Sequence, residues 1–179
     1  FLSLSDMGKA LPSYEEIPIA CRMEEVVQTE YKRIEDALVR VLRSDRRVAQ
    51  KILSAYLNLL TVYPDQPYDQ KPILYPDSDV PIVEPENIGD VDTLGEKEQR
   101  TLEIVRAAIQ NRERALIYTS WVRTDSQQKL KKLLTDEGYR TEILTDKIKT
   151  TDREEWVQKK LAAGMQVLIV NPSLVETGL

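Results

Sequence analysis

The chain has 179 residues, of which 41% are hydrophobic, so it can form one α/β domain with an accessory segment. The formal net charge of −5 argues against a generally basic surface that coats nucleic acid. Cys21 is the single cysteine and histidine is absent, which excludes an intrachain disulfide, Cys/His zinc sites and a histidine base, and fits a reducing cytoplasm.

Residues 1–22 predict a loop followed by a short strand that leads into the domain. Residues 1–10 are polar, whereas 17–21 alternate between apolar and other side chains. Pro18 has no backbone N–H, so this strand is expected to lie at a sheet edge or to begin at the proline.

Residues 23–63 predict an antiparallel helical hairpin, because apolar side chains recur at spacings of three and four. The first helix spans 23–43, and Ser44 or Asp45 caps a second helix that continues to about residue 61. The two apolar stripes are Val27, Tyr31, Ile34, Leu38 and Val41, and Val48, Ile52, Leu53, Tyr56, Leu57 and Leu60. We interpret both stripes as core packing, with a groove for a partner protein as the alternative.

A proline-rich acidic connection is predicted over residues 64–95. Six prolines between residues 64 and 85 favour extended backbone. Residues 64–98 carry ten acidic side chains against two lysines, so the rest of the chain is mildly basic. Residues 80–83 predict a short strand. We interpret the segment as a solvated linker, and the alternative is a clamp that mimics the charge of nucleic acid.

Residues 96–179 alternate helices with short β-branched strands, which is typical of βαβ units on a parallel sheet. The strings at 115–118 and 167–170 are uninterrupted and apolar, so we expect helices on both faces of these strands. Gly138 and Gly164 mark helix ends. The predicted helices span 96–111, 122–137 and 153–163, and the predicted strands span 115–118, 141–144 and 167–170. The fold class is therefore α/β, with a parallel sheet flanked by helices and an inserted helical hairpin.

The helix over 122–137 is predicted to turn its leucines toward the sheet and its lysines toward solvent. The inward residues are Leu130, Leu133 and Leu134, and the outward residues are Lys129, Lys131 and Lys132. In the helix over 153–163 the inward residues are Trp156, Val157 and Leu161.

Polar residues follow each of the three strands, at the end where open α/β sheets bind ligands. Thr119 and Ser120 follow the first strand, Thr145 follows the second, and residues 171–173 follow the third. The sequence has no Gly-Lys-Ser/Thr phosphate cradle, no acidic cluster with two-metal spacing and no nucleophile beside a histidine. The chain therefore lacks the parts of a catalyst, and its polar strand ends predict binding.

The order of these pieces resembles the second RecA-like domain of superfamily 2 helicases, most closely Snf2-like and DEAD/DEAH-type bacterial and phage members. Residues 114–121 look like motif IV, and residues 171–179 look like motif V. Leu144-Thr145 looks like the strand end that precedes the family's helix arginine, matched here by Arg153. Residues 11–17 look like the segment that enters this domain in Snf2-like proteins. The similarity covers 96–179 well and 1–40 loosely, and 44–95 lies outside it.

The resemblance implies a RecA-like, P-loop NTPase-like fold and an ATP-driven motor that moves on nucleic acid, with DNA as the expected substrate. The resemblance divides the chain into four parts. Residues 1–22 are the entry strand of the second RecA-like domain, and 23–63 are a helical hairpin insertion. Residues 64–95 are the acidic connection, and 96–179 are the incomplete core with motifs IV to V. The implied nucleic-acid contacts are Thr119, Ser120, Trp121, Thr145, Arg153, Ser173 and Thr177, and the implied nucleotide-side residues are Glu176 and Gly178. Trp121 would stack on a base, with ordinary half-buried packing as the alternative.

The resemblance also implies that this chain is a fragment. It stops before motif VI, which carries the arginine finger, and lacks the first RecA-like domain with its Walker A lysine. ATP and Mg²⁺ would be bound by the complete protein, in which the missing domain is the partner. We therefore expect no catalytic residue, no tightly bound cofactor or metal, and no ATPase activity from this chain alone. The alternatives are a non-catalytic Rossmann-like module that binds a partner through residues 24–61, and half of a two-lobed glycosyltransferase.

Overall fold

The computed structural model describes residues 15–119 and 126–175. They form a helical hairpin, a small β-hairpin and a three-stranded sheet with its own helices. The helices are α1 (Glu25–Ser44), α2 (Arg46–Val62), α3 (Glu96–Gln110), α4 (Ser126–Asp136) and α5 (Arg153–Ala162). The strands are β1 (Ile73–Leu74), β2 (Pro81–Val83), β3 (Ala115–Tyr118), β4 (Thr141–Leu144) and β5 (Val167–Val170), and 3₁₀ turns span Thr150–Asp152 and Pro172–Leu174. Over the described ranges, no helix combines the length and the apolar character that crossing a bilayer requires.

The predicted helical hairpin is confirmed, and Asp45 forms its corner. The Asp45 N–H donates to the Val41 carbonyl at 2.9 Å and so closes α1. Its carboxylate accepts from the N–H groups of Arg47 and Val48 at 2.9 and 3.1 Å, and so caps α2. Inside the hairpin the fully buried Tyr56 hydroxyl accepts from the Leu38 N–H at 2.9 Å. One residue therefore ends the first helix and begins the second.

The apolar stripe predicted for α2 is wrong at two positions. Leu53 and Leu57 are 39% and 53% exposed, whereas Ala49 and Leu59 are buried against α1. Apolar residues occupy more than half of the circumference of α2, so the spacing alone allows more than one inward face. Ala49 is 3% exposed and belongs to the buried cluster that the two helices share.

The acidic connection is folded against the helical hairpin, so the solvated-linker interpretation is wrong for its centre. β1 and β2 pair in antiparallel fashion, with Ile73 opposite Val83, and both side chains are buried against the helices. The strand predicted over 80–83 is confirmed. Tyr68 is also buried. The acidic side chains of this segment therefore alternate with apolar anchors that hold it on the fold.

The strand predicted over 17–21 is wrong. Residues 15–24 form no strand, and Ile17 and Ile19 are 68% and 48% exposed. Pro18 cannot donate a ladder hydrogen bond, and no strand within the described ranges lies beside this segment. It is fixed instead at its end, where the Arg22 N–H donates to the Glu96 carboxylate at 2.9 Å.

The predicted parallel sheet is confirmed, and all three strand bounds are as expected. The strand order, which was not predicted, is β3-β5-β4. β5 lies in the centre and is buried along its whole length. α3 and α4 cover one face, where Val105 and Leu134 contact Val167 and Ile169. α5 covers the other face over β4 and β5 through Val157. The protein is thus a mixed α/β fold with a parallel sheet flanked by helices.

Two details of this sheet differ from the expectation. Leu116 and Tyr118 are 47% and 55% exposed, because β3 is at the edge and α5 lies over the other two strands. Helices therefore cover both faces of β5 but only one face of β3. Lys129, predicted to face outward, is buried against Glu98.

Two glycines end helices in the left-handed region, with φ +87° at Gly138 and +89° at Gly164. A Cβ at Gly138 would meet nothing within 4 Å, whereas one at Gly164 would collide with the Arg140 guanidinium. We expect Gly138→Ala to lower the free energy of unfolding by about 1 kcal/mol through backbone strain alone. Gly164→Ala should cost more, since the hydrogen bond from Arg140 to the Ala163 carbonyl must also shift. Urea denaturation of both variants checks this order, and equal losses would contradict it.

Candidate nucleic-acid interface

The three parallel strands end at the same level. Tyr118 and Leu144 both lie opposite Val170, so the residues that follow them form one row at the carboxyl edge of the sheet. We call this row, made of Thr119, Asn171 and Thr145, the rim. The Thr119 N–H donates to the Val170 carbonyl at 3.0 Å and extends the β3–β5 pairing into it. Polar groups from three separate segments are therefore placed side by side by strand register alone.

Thr119 is fixed by a contact that the sequence did not predict. Its hydroxyl oxygen accepts from the Gln127 side-chain amide at 2.6 Å, and Gln127 is itself buried in the first turns of α4. The hydroxyl is thus held at the end of β3, and a hydroxyl that accepts one hydrogen bond can also donate its proton. A glutamine at a helix start gives no recognisable pattern, so this positioning residue was missed.

A cleft of about 290 Å³ opens beside Thr119, between α3 and α4. Thr101, Tyr118 and Ser126 line it, together with Asp65 and Lys97. The Lys97 ammonium lies 2.6 Å from the Asp65 carboxylate. The acidic connection therefore reaches the edge of the rim and neutralises a nearby cation there.

Asn171 shapes the turn that follows β5. Its side-chain oxygen accepts from the Ser173 N–H at 2.9 Å and from the Ser173 hydroxyl at 2.6 Å. Pro172 occupies the first position of the 3₁₀ turn, where its missing N–H costs no hydrogen bond. Here asparagine and proline build the turn and present Ser173 at the surface.

The loop after β4 starts at the half-buried Thr145. The Thr145 carbonyl accepts from the Ile148 N–H at 3.2 Å, which forms a tight turn. Lys147 and Lys149 are exposed on this turn. They follow Thr145 within four residues, and their charge suits a phosphate backbone.

Arg153 lies at the first position of α5, where its guanidinium points back to the loops. Its Nε–H donates to the Ile148 carbonyl at 3.2 Å, and its Nη1 donates to the Leu174 carbonyl at 2.7 Å. The sequence analysis predicted that Arg153 contacts nucleic acid. The structure directs two of its donors to main-chain carbonyls of the protein.

Two other lysines of the core share one acidic side chain. The Glu142 carboxylate on β4 lies 2.5 Å from the Lys160 ammonium and 3.5 Å from the Lys131 ammonium. Burial by itself would raise the pKa of Glu142, but the hydrogen bond from Lys160 and the charge of both lysines hold it below its ordinary value. These two lysines are therefore engaged with Glu142, whereas Lys147 and Lys149 are exposed in the 145–150 loop beside Asp146.

The structure brings Thr119, Thr145, Ser173 and Arg153 to the same edge of the sheet. Ser120, Trp121, Glu176, Thr177 and Gly178 lie outside the described residues. Within residues 15–119 and 126–175, no group of three or more acidic or cysteine side chains could hold a metal ion.

Comparisons of this chain with protein-family models, with curated proteins and with solved structures found no match. Its function therefore has to be inferred from the rim and the side chains around it.

Proposed function

We propose that this chain is part of the carboxyl-side, RecA-like motor lobe of a superfamily 2 ATP-dependent helicase or translocase. In this role the rim contacts the backbone of nucleic acid, with DNA as the substrate. The observation that carries the proposal is the row of Thr119, Asn171 and Thr145, which three in-register parallel strands place at one edge. Parallel α/β sheets bind their ligands at this edge.

The groups at the rim suit phosphate rather than bases. Hydroxyls and main-chain N–H groups donate hydrogen bonds to phosphate oxygens regardless of sequence, as a motor that moves along a strand requires. Thr119 offers a hydroxyl that Gln127 holds in place. Lys147 and Lys149 add charge from the neighbouring loop.

ATP and Mg²⁺ would lie between this lobe and the first RecA-like lobe of the complete protein. The motif V resemblance assigns Thr177 to nucleic acid and Glu176 and Gly178 to the nucleotide side. Through them, ATP-dependent closure of the two lobes would be coupled to movement of the strand over the rim. In this scheme the chain binds nucleic acid, and the first RecA-like lobe supplies the loop that binds the ATP phosphates.

We expect the chain to bind a fluorescent single-stranded or duplex DNA of about 20 nucleotides weakly, with a Kd of roughly 10–100 µM at physiological salt. The logarithm of the binding constant should fall with the logarithm of salt concentration with a slope of roughly −2 to −3. Replacing Lys147 and Lys149 together by glutamine should make that slope shallower by about 1.4–1.8. Fluorescence anisotropy at several salt concentrations measures both quantities.

Lys51→Gln is the matched control. Lys51 is an exposed lysine of the helical hairpin that pairs with Asp77, so its replacement should leave the slope unchanged. Binding that does not depend on salt concentration would contradict the proposal. A change of the salt slope in Lys51→Gln as large as that in the double lysine variant would contradict it too.

A further inference from the structure

One side chain joins the two loops that leave β4 and β5. Arg153 donates to the Ile148 carbonyl in the loop after β4 and to the Leu174 carbonyl in the turn after β5, at 3.2 and 2.7 Å. These carbonyls are 26 residues apart in the chain. Leu174 and Ile148 also pack in the apolar cluster beneath α5, so the guanidinium lies against a surface that these loops share.

Arginine is the residue that this arrangement requires. A guanidinium presents its donors in a rigid planar fork, so Nε and Nη1 can reach two carbonyls at once. A lysine ammonium carries the same charge on a flexible stem, and does not fix two acceptors at that separation. The contact therefore depends on the shape of the group as well as on its charge.

The two loops carry the groups that the rim offers to a ligand. The 145–150 loop bears Lys147 and Lys149, and the turn after β5 bears Ser173. If the loops moved independently, each would have to be ordered separately when a ligand bound. A tie between them presents both sets of groups in one geometry and lowers the ordering cost of binding.

We propose that Arg153 is a positioning residue that locks these two loops together and does not itself contact phosphate. The inference rests on the proposed binding of nucleic acid at the rim. Under this proposal, Arg153 raises the affinity for nucleic acid by holding the two loops in place. A direct contact would instead raise the affinity through the charge of the guanidinium.

The test compares Arg153→Lys with Arg153→Gln in DNA titrations over a range of salt concentrations. We expect both variants to weaken binding to a similar degree, by about tenfold, with the salt slope unchanged, because loop order is lost in each. Lys147→Gln is the contrasting variant and should make the slope shallower by about 0.7–0.9. Wild-type affinity in Arg153→Lys, or a shallower slope in Arg153→Gln alone, would overturn the proposal in favour of a direct phosphate contact.

Hydrogen exchange of the free protein provides a test that needs no ligand. The amides of Ile148, Leu174 and Val175 are hydrogen-bonded within the two loops, and should exchange about tenfold faster in both Arg153 variants. The amides of β5 should keep their protection, which shows that the fold is intact. Unchanged exchange rates of these loop amides would show that Arg153 does not hold the two loops together. If the wild-type chain binds no DNA, the proposed function fails, and faster loop exchange would still establish that Arg153 holds the loops.

Discussion

Replacing Lys129 by alanine is expected to lower the free energy of unfolding by about 3 kcal/mol, because a buried carboxylate would lose its partner. The Lys129 ammonium lies 3.1 Å from the Glu98 carboxylate, and the two side chains are only 7% and 12% exposed. Urea denaturation followed by circular dichroism measures the loss.

Glu98 has a second contact that makes the pair costly to break. Its other carboxylate oxygen accepts from the Gly95 N–H at 3.0 Å and closes the first turn of α3. The carboxylate therefore joins the start of α3 to α4. Without Lys129, a negative charge between two helices would lose its ion pair and keep the hydrogen bond from Gly95. We therefore expect the packing of α3 against α4 to be weakened.

Lys132→Ala is the control, since Lys132 lies three positions further along α4 and is 58% exposed. Its ion pair with Asp92 is at the surface and screened by solvent, so its loss should change stability far less than the loss of Lys129. The double variant Lys129→Met, Glu98→Gln should recover most of the stability, because glutamine still accepts from Gly95 and no charge is left buried. A loss for Lys129→Ala no larger than for Lys132→Ala would show that the pair does not stabilise the fold.

Lys129 also shows where sequence patterns stop being informative. The leucines of α4 predict its inward face, and Leu134 is fully buried as expected. Lys129 lies beside that stripe, and its burial depends on α3, which arrives from 31 residues earlier in the chain at Glu98. Periodicity describes one element at a time, so it could not reveal a partner on another helix.

Local signals predicted the elements that local chemistry decides. The strands over 115–118, 141–144 and 167–170 are bounded by polar residues and glycines, and their limits are confirmed. Asp45 and Gly138 end or begin helices through their own side-chain or backbone preferences. The strand order β3-β5-β4 and the open face of β3 depend on contacts between elements, for which the sequence carried no comparable signal.

The residues of the candidate site also fall into those that the sequence predicted and those that depend on contacts between elements. Thr119, Thr145 and Ser173 were predicted from their places after strands, and the register brings their segments together. Gln127 was missed, and Arg153 was predicted to be a ligand contact, whereas it donates to two carbonyls. A side chain's charge is readable from sequence, but the acceptors it meets are set by tertiary structure.

The second large effect is expected at Glu30, the buried carboxylate that fastens the acidic connection to α1. Glu30 is 4% exposed and accepts from Arg33 Nε and Nη2, both at 2.6 Å, and from the Glu86 N–H at 2.9 Å. Arg33 Nη2 also donates to the Glu84 carbonyl at 2.6 Å. Glu30→Ala should lower the free energy of unfolding by about 2–3 kcal/mol, a value moderated by the half-exposed Arg33. Chemical denaturation at neutral pH checks the value.

The same carboxylate makes stability depend on pH in a defined direction. Burial by itself would raise the pKa of Glu30, but the hydrogen bonds from Arg33 and the Glu86 N–H outweigh it and hold the pKa below the ordinary 4.5. The folded protein therefore binds this proton less readily than the unfolded chain does. The stabilisation is fully present above the ordinary pKa and is lost as the pH falls through the lowered one. Glu30→Gln removes the titration, so its stability deficit should be largest near neutral pH and should shrink below pH 4.5.

Glu35→Gln separates this effect from a general response of acidic residues on α1. Glu35 is exposed on the same helix, so its replacement should change stability by less than about 0.5 kcal/mol at any pH. Denaturation curves for wild type and both variants from neutral pH down to the acid transition give the comparison. A constant deficit for Glu30→Gln across that range would mean that Glu30 stabilises the fold by shape and packing. A deficit that narrows with acidification identifies the ionised carboxylate as the group that holds the acidic connection against the helical hairpin.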